Sequence, residues 1–175
     1  HQYRCPVVLL PATATATPDA VAALAKVALV LFYRPHLPDD LSSFFETMMS
    51  EDAVIRCDLW DIVTATQNRG CWELVTYTGA TTDADQLQQA GIQLLTSFNA
   101  PTTPPAWLVS FTADAEALTK NPLQPIFRRL ADNVKDGLIV CAVKKESSCG
   151  HGFRIAVLSR THFPGPSSPA SLISK

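Results

Sequence analysis

The feature that most constrains this chain is a hydrophobic period that switches repeatedly between residues 72 and 145. Apolar residues form a short strand-like run over 72–76, fall on a helical spacing over 83–90, and return to short runs over 92–98 and 106–111. A second helical pattern covers 123–134, and a last apolar run covers 138–143. Each switch is marked by residues that break or cap regular structure. Thr78 and Gly79 close the first run, Asp83 or Asp85 caps the helix after it, and Pro101, Pro104 and Pro105 separate the next two runs. Asp136 and Gly137 end the second helix. Short apolar strands joined by helical crossovers predict an α/β fold: a small parallel sheet with helices on both faces.

The N-terminal part repeats the theme. A strand is expected over 5–10, then a helix over 20–26 with Thr17 as N-cap and Pro18 at its first position. A strand over 28–33 follows, and Asp39 and Asp40 open a helix over 41–49. A short strand over 53–56 precedes an amphipathic helix over 59–66 with Trp60 and Val63 on one face. After Lys145 the pattern loosens into a polar loop over 146–152, a strand over 153–159 and a Pro/Ser/Gly tail. The two halves spell similar strings, which suggests an internal duplication. The expected units are 1–70, a degenerate first copy, 71–163, a fuller second copy, and 164–175, a flexible tail.

Composition bounds the function. The chain has 175 residues, 47% apolar and 17% charged, so it can bury a substantial core. A net charge of −2 argues against direct nucleic-acid binding, which needs clustered Lys and Arg. The longest apolar run, 27–33, is too short to span a bilayer, so no membrane partner is expected. The first residue is His1 rather than Met, and the expectation is a fragment of a longer protein. Among five cysteines there is no CxxC pair, and Cys57, Cys71 and Cys141 sit in or beside apolar runs. They read as reduced structural thiols of a cytosolic or nuclear protein.

No catalytic signature stands out. Neither a Walker-type loop nor a GxGxxG follows any strand, so no nucleotide and no cofactor is expected. Cys149 and His151, with Cys141 and His162, suggest zinc or a Cys–His nucleophile, but the paired spacing of a zinc site is absent, and an incidental polar loop is the simpler account. The acidic residues suit helix caps and solvated faces. Trp60, Trp72 and Trp107 lie in apolar runs, which assigns them to a core or to the seam between the halves. Arg128 and Arg129 either extend a basic patch or form the exposed face of their helix.

Three features together resemble a tandem BRCT repeat: the paired order of elements, the motif Cys57-Asp-Leu-Trp60-Asp-Ile-Val63, and the turn Thr76-Tyr-Thr78-Gly79 paired with Leu118-Thr-Lys120-Asn. The resemblance implies two small βαββαβα units packed head to tail. It also implies a phosphate pocket made by Thr78, Gly79 and Lys120, since a hydroxyl, a close glycine amide and an ammonium group suit a phosphoryl anion. The sequence departs from the family by placing that pocket in the second unit. The first offers Thr13-Ala14 and the acidic pair Asp39 and Asp40 instead. The texture is also similar to the BRCT region of a kinetoplastid kinetochore protein, which implies a nuclear, chromosomal setting, or otherwise a cytoplasmic one. The expected function is therefore a non-catalytic interaction module for a phosphorylated partner protein or peptide. The alternatives are a small cytosolic α/β enzyme with its site at the carboxyl ends of the strands, and a phosphate-independent docking domain.

Overall fold

A computed structural model describes residues 7–11, 17–26, 28–33, 38–66, 70–79, 84–97, 106–115, 118, 123–133, 137–146 and 152–161. In chain order the elements are β1 (Val7–Pro11), α1 (Pro18–Ala25), β2 (Leu29–Tyr33), α2 (Pro38–Met48), α3 (Leu59–Thr66) and β3 (Gly70–Gly79). They continue with α4 (Ala84–Ser97), β4 (Ala106–Ala113), α5 (Leu123–Asn133), β5 (Leu138–Lys145) and β6 (Phe153–Thr161). The α/β class is as expected. The sheet is not. One six-stranded sheet in the order β1-β2-β3-β6-β4-β5 stands where two small parallel sheets were expected. β2 pairs in parallel with β3, so the ladder runs unbroken from the first strands into the second half of the chain. β1 to β5 all point one way, and β6 runs antiparallel between β3 and β4.

Local chemistry explains the helix starts. Thr17 has an extended backbone, and its side chain accepts a hydrogen bond from the Ala20 amide at 3.3 Å, with Pro18 at the first helical position. At α3 the Asp61 amide donates to Asp58 Oδ1 at 2.8 Å and the Asp58 amide donates back to Asp61 Oδ2 at 2.9 Å. This reciprocal arrangement satisfies two amides that the helix itself leaves unpaired.

Helices cover both faces. On one, Leu87 and Ala90 of α4 and Ile126 and Leu130 of α5 pack on Trp107, Val109, Phe111, Ile155 and Val157. Val21 of α1 packs on Val30 and Cys71, whose strand positions face the same side. On the other face, Phe44 and Met48 of α2 and Ile62 and Ala65 of α3 meet Leu31, Trp72, Leu74, Leu108, Ala142 and Leu158. All eight residues of β4 are buried. That is why its sequence is a near-continuous apolar run: a strand covered on both sides has no polar face.

Three sequence-based elements are corrected. The strand expected over 92–98 is the second half of α4. Gly91 lies inside α4 at the point where α4 meets α5, because a Cβ there would lie 2.5 Å from Ile126 Cδ1. The strand expected over 53–56 reduces to a single bridge between Ile55 and Val143. Trp60 is 65% exposed, whereas Trp72 and Trp107 are at 0% and 1%, so only two of the three tryptophans are core residues.

Candidate functional site at the carboxyl ends of the strands

With β1 to β5 co-directional, their carboxyl ends share one edge of the sheet, and the amino end of β6 joins them there. This rim is where an open α/β sheet presents loops and helix ends to a ligand. Arg154, near the start of β6, stands directly across from Thr78 of β3 on one side and from Thr112 of β4 on the other. Its guanidinium Nη1 donates to the Ser43 hydroxyl of α2. One turn along α2, the buried Thr47 hydroxyl meets that of Thr112 at 3.2 Å. The guanidinium thus meets one hydroxyl, that of Ser43, while Thr78 and Thr112 flank Arg154 in the ladder. A guanidinium has five N–H donors in a planar fork, and hydroxyls rotate to donate or accept, so the group suits a phosphate or carboxylate oxygen.

The residues expected from sequence to hold a phosphate are placed as follows. Thr78 is exposed at the end of β3 beside Arg154. Gly79 leaves room for an aromatic ring: a Cβ there would lie 2.4 Å from Phe153 Cε1 and Cζ. The Phe153 ring, itself buried, stacks on Tyr77 at a centroid distance of 5.9 Å. Lys120 lies outside the described residues, as do Cys149, His151 and His162. Arg154 was missed because the signal is topological. Its neighbours on the rim are 76 and 42 positions away in sequence, and only the insertion of β6 between β3 and β4 brings them together.

Gly152, with a left-handed φ of 67°, turns the chain into β6, and its carbonyl accepts from the Asp114 amide at 3.3 Å. That turn sets the register which fixes Arg154 at the rim.

The three described cysteines do not add a nucleophile. Burial pushes the Cys141 thiol up to about 12, and burial, helped by Asp61 and Asp58, pushes Cys57 up to about 11. Burial also raises Cys71. A thiol held protonated at neutral pH is a poor nucleophile and a poor metal ligand. Among the described residues no three His, Cys, Asp or Glu side chains converge on a metal position. No helix among them is long and apolar enough to cross a membrane.

Comparison with solved structures shows this architecture to be similar to the fold of FtsZ and CetZ proteins. An FtsZ dimer, empty, from M. jannaschii superimposes with a TM-score of 0.64 at 11% identity, covering 90% of this chain and 55% of that one. CetZ2 from Haloferax volcanii, described as a GTPγS-bound protofilament, gives a TM-score of 0.59 at 12% identity over 91% of this chain and 57% of that one. CetZ1 from Haloferax volcanii, described as a GDP-bound monomer, gives 0.56 at 7% identity over 93% and 56%. The chain therefore spans a little over half the length of the structures it matches. No protein-family model matches the sequence, and no curated protein matches it significantly.

These findings correct the BRCT resemblance. The chain has an FtsZ-type fold, not a tandem BRCT fold, and the phosphopeptide-binding module and the kinetochore likeness inferred from that resemblance fall with it. Nothing supports a phosphorylated partner. The expectation of a non-catalytic module is corrected too, since it rested on the BRCT resemblance that the fold overturns. The physical reason for the error is that both folds are built from the same βα crossovers. Element order alone does not fix how the strands pair, and here the last strand joins both halves into one sheet.

Proposed function

We propose that this chain is part of a GTP-binding, GTP-hydrolysing protein of cytoskeletal type that associates with copies of itself. The observation that carries this is the fold: about nine-tenths of the chain superimposes on FtsZ and CetZ structures, one described as a GTPγS-bound protofilament and another as a GDP-bound monomer. The rim around Arg154 supports it, because a guanidinium bonded to the Ser43 hydroxyl and flanked in the ladder by Thr78 and Thr112, at the carboxyl ends of parallel strands, is suited to a nucleotide phosphate. The sequence carries no glycine-rich phosphate loop, and the chain matches little more than half of each relative. The rim is accordingly proposed as one wall of a nucleotide site that the rest of the fold completes, not as a whole site.

Titration of the protein with a fluorescent GTPγS analogue tests this. Saturable binding is expected, and Arg154→Ala is expected to weaken it roughly tenfold to a hundredfold, the loss of one hydrogen bond to a charged group. No binding would contradict the nucleotide reading. Equal binding by wild type and Arg154→Ala would keep the nucleotide and remove the rim from its site.

A further inference from the structure

β5 ends the sheet, and its outer edge meets no further strand among the described residues. Two sets of bonds show which way its backbone groups point. The Glu146 amide donates to the Ala113 carbonyl of β4 at 3.1 Å, so the even-numbered positions along β5 turn their N–H and C=O toward β4. Val143 turns the other way. Its amide donates to the Ile55 carbonyl at 3.0 Å, and its carbonyl accepts from the Val54 amide at 2.7 Å. By the period of two, Ile139 and Cys141 also present N–H and C=O outward. Ile55 pairs antiparallel with Val143, so the molecule itself begins a further strand on this edge. That strand ends after one residue because the chain turns into α3: Cys57 Sγ donates to the Met48 carbonyl at 2.7 Å, and the Asp58–Asp61 cap starts the helix. Among the described residues nothing pairs with the outward backbone groups of Ile139 and Cys141.

Both flanks of this edge are apolar. Among the described residues six large apolar side chains are exposed: Leu138 of β5, and Met49, Val54, Ile55, Leu59 and Trp60 between the end of α2 and the start of α3. α3 packs across β4 and β5, and the Cys57 thiol just before it lies close enough to Cys141 to help keep that thiol protonated. The start of α3, with Trp60 at 65% exposure, therefore stands beside the middle of β5. Leu138 shares the face of Val140 and Ala142, which is the face that α3 covers. On the other face Ile139 and Cys141 are half-buried, as is Phe127 of α5. Charges of both signs ring the edge. Glu51, Asp52, Asp58 and Asp61 are exposed, as are Arg56 and Lys145, and Lys144 and Glu146 are half-buried. Net charge therefore selects no partner here, and what the edge offers is backbone pairing between apolar flanks.

We infer that β5 takes an added strand from a partner protein: an extended segment, antiparallel to β5 and in line with Val54 and Ile55, whose backbone pairs with Ile139 and Cys141. Side chains opposite Ile139 and Cys141 then point to the α5 side, and those opposite Leu138 and Val140 point to the α3 side, beside Leu59 and Trp60. Because both sides are apolar, the segment that fits is a short consecutive run of β-branched or aromatic residues, not one that alternates with polar residues. Trp60 and Leu59 supply the anchor, since a few large side chains carry most of the energy of a contact. The surface shares no residue with the rim around Arg154, and it involves no nucleotide.

Residue-resolved amide hydrogen exchange in nucleotide-free buffer tests it with a probe peptide, capped Lys-Thr-Val-Ile-Val-Tyr-Lys, whose basic ends keep it soluble. A control peptide carries N-methyl groups on every apolar residue, which keeps the side chains and removes the backbone donors. In the free protein the Ile139 and Cys141 amides are expected to exchange faster than those of Val140 and Ala142, which are bonded to β4. The probe is expected to slow Ile139 and Cys141 roughly tenfold when about nine-tenths of the protein is occupied. The methylated control is expected to leave them unchanged. Trp60→Ser, an exposed change that spares the core, is expected to weaken the probe roughly tenfold while keeping the wild-type unfolding curve. No slowing up to about 1 mM probe, the weak end of specific binding, would overturn the proposal. So would equal slowing by the methylated control or in Trp60→Ser, or slowing of β1 at the opposite edge in place of β5. Slow exchange at Ile139 and Cys141 that rises with protein concentration, without probe, would make a second copy the occupant and overturn it too. None of these outcomes depends on GTPγS binding, so loss of either proposal leaves the other standing.

Discussion

A chain that stops at Glu146 is expected to lose its cooperative fold. The missing strand β6 is the common neighbour of β3 and β4, with nine register pairs on one side and seven on the other. Phe153, Ile155, Val157 and Leu158 are each 2% exposed or less. At about 1.5–3 kcal/mol for a fully buried side chain of this kind, their burial contributes on the order of 6–12 kcal/mol. That is comparable to the entire stability of an ordinary domain, about 5–15 kcal/mol. Truncation would also leave two rows of backbone N–H and C=O groups in the middle of the sheet without partners. Urea titration followed by far-UV circular dichroism should show no cooperative transition. A transition with the wild-type slope would mean that the first five strands make a sheet without β6.

The second large effect separates the tryptophans. Trp107→Ala removes the side chain that anchors β4 under α4 and α5, and Trp72→Ala does the same on the α2–α3 side. Each is expected to cost about 3–5 kcal/mol, the transfer term plus the cavity left in a core that collapses only partly. Trp60→Ala should change stability by no more than about 0.5 kcal/mol, because its ring is mostly in water. Urea midpoints of the three variants measure the difference directly. Comparable losses at all three positions would place Trp60 in a core.

Much of the local structure was legible in the sequence. The Thr17–Pro18 start of α1, the span of α3, the apolar runs of β2, β4 and β5, and the amphipathic pattern of α5 all read correctly from propensity and period. Propensity failed at Gly91, where the missing side chain serves helix–helix contact and not chain reversal. It failed again at Trp60, since an aromatic at helical spacing looks the same whether its face meets a sheet or a partner.

The larger failure was topological. A run of apolar residues over 153–159 announces a buried strand but not which strands it enters between. Expected as the last strand of the second unit, it is inserted antiparallel between β3 and β4 and joins both halves in one sheet. The candidate site inherits that difficulty. Thr78 was visible as a turn hydroxyl after a strand, whereas Arg154, Thr112, Ser43 and Thr47 have no shared sequence signal and meet only in the folded rim. Where the last strand goes therefore decides both the fold and the site.

The single six-stranded sheet of this chain rests on β6 lying antiparallel between β3 and β4, and cross-strand Hα–Hα contacts in a nuclear Overhauser spectrum read that placement directly. In antiparallel ladders every second residue pair brings its Cα atoms to about 4.5 Å, close enough for a strong signal. Contacts are predicted along two ladders at once, from Cys71–Thr161 to Gly79–Phe153 with β3 and from Trp107–Ser159 to Ala113–Phe153 with β4. Contacts from β6 to only one of these strands, or to neither, would contradict the single sheet and with it the likeness to FtsZ and CetZ.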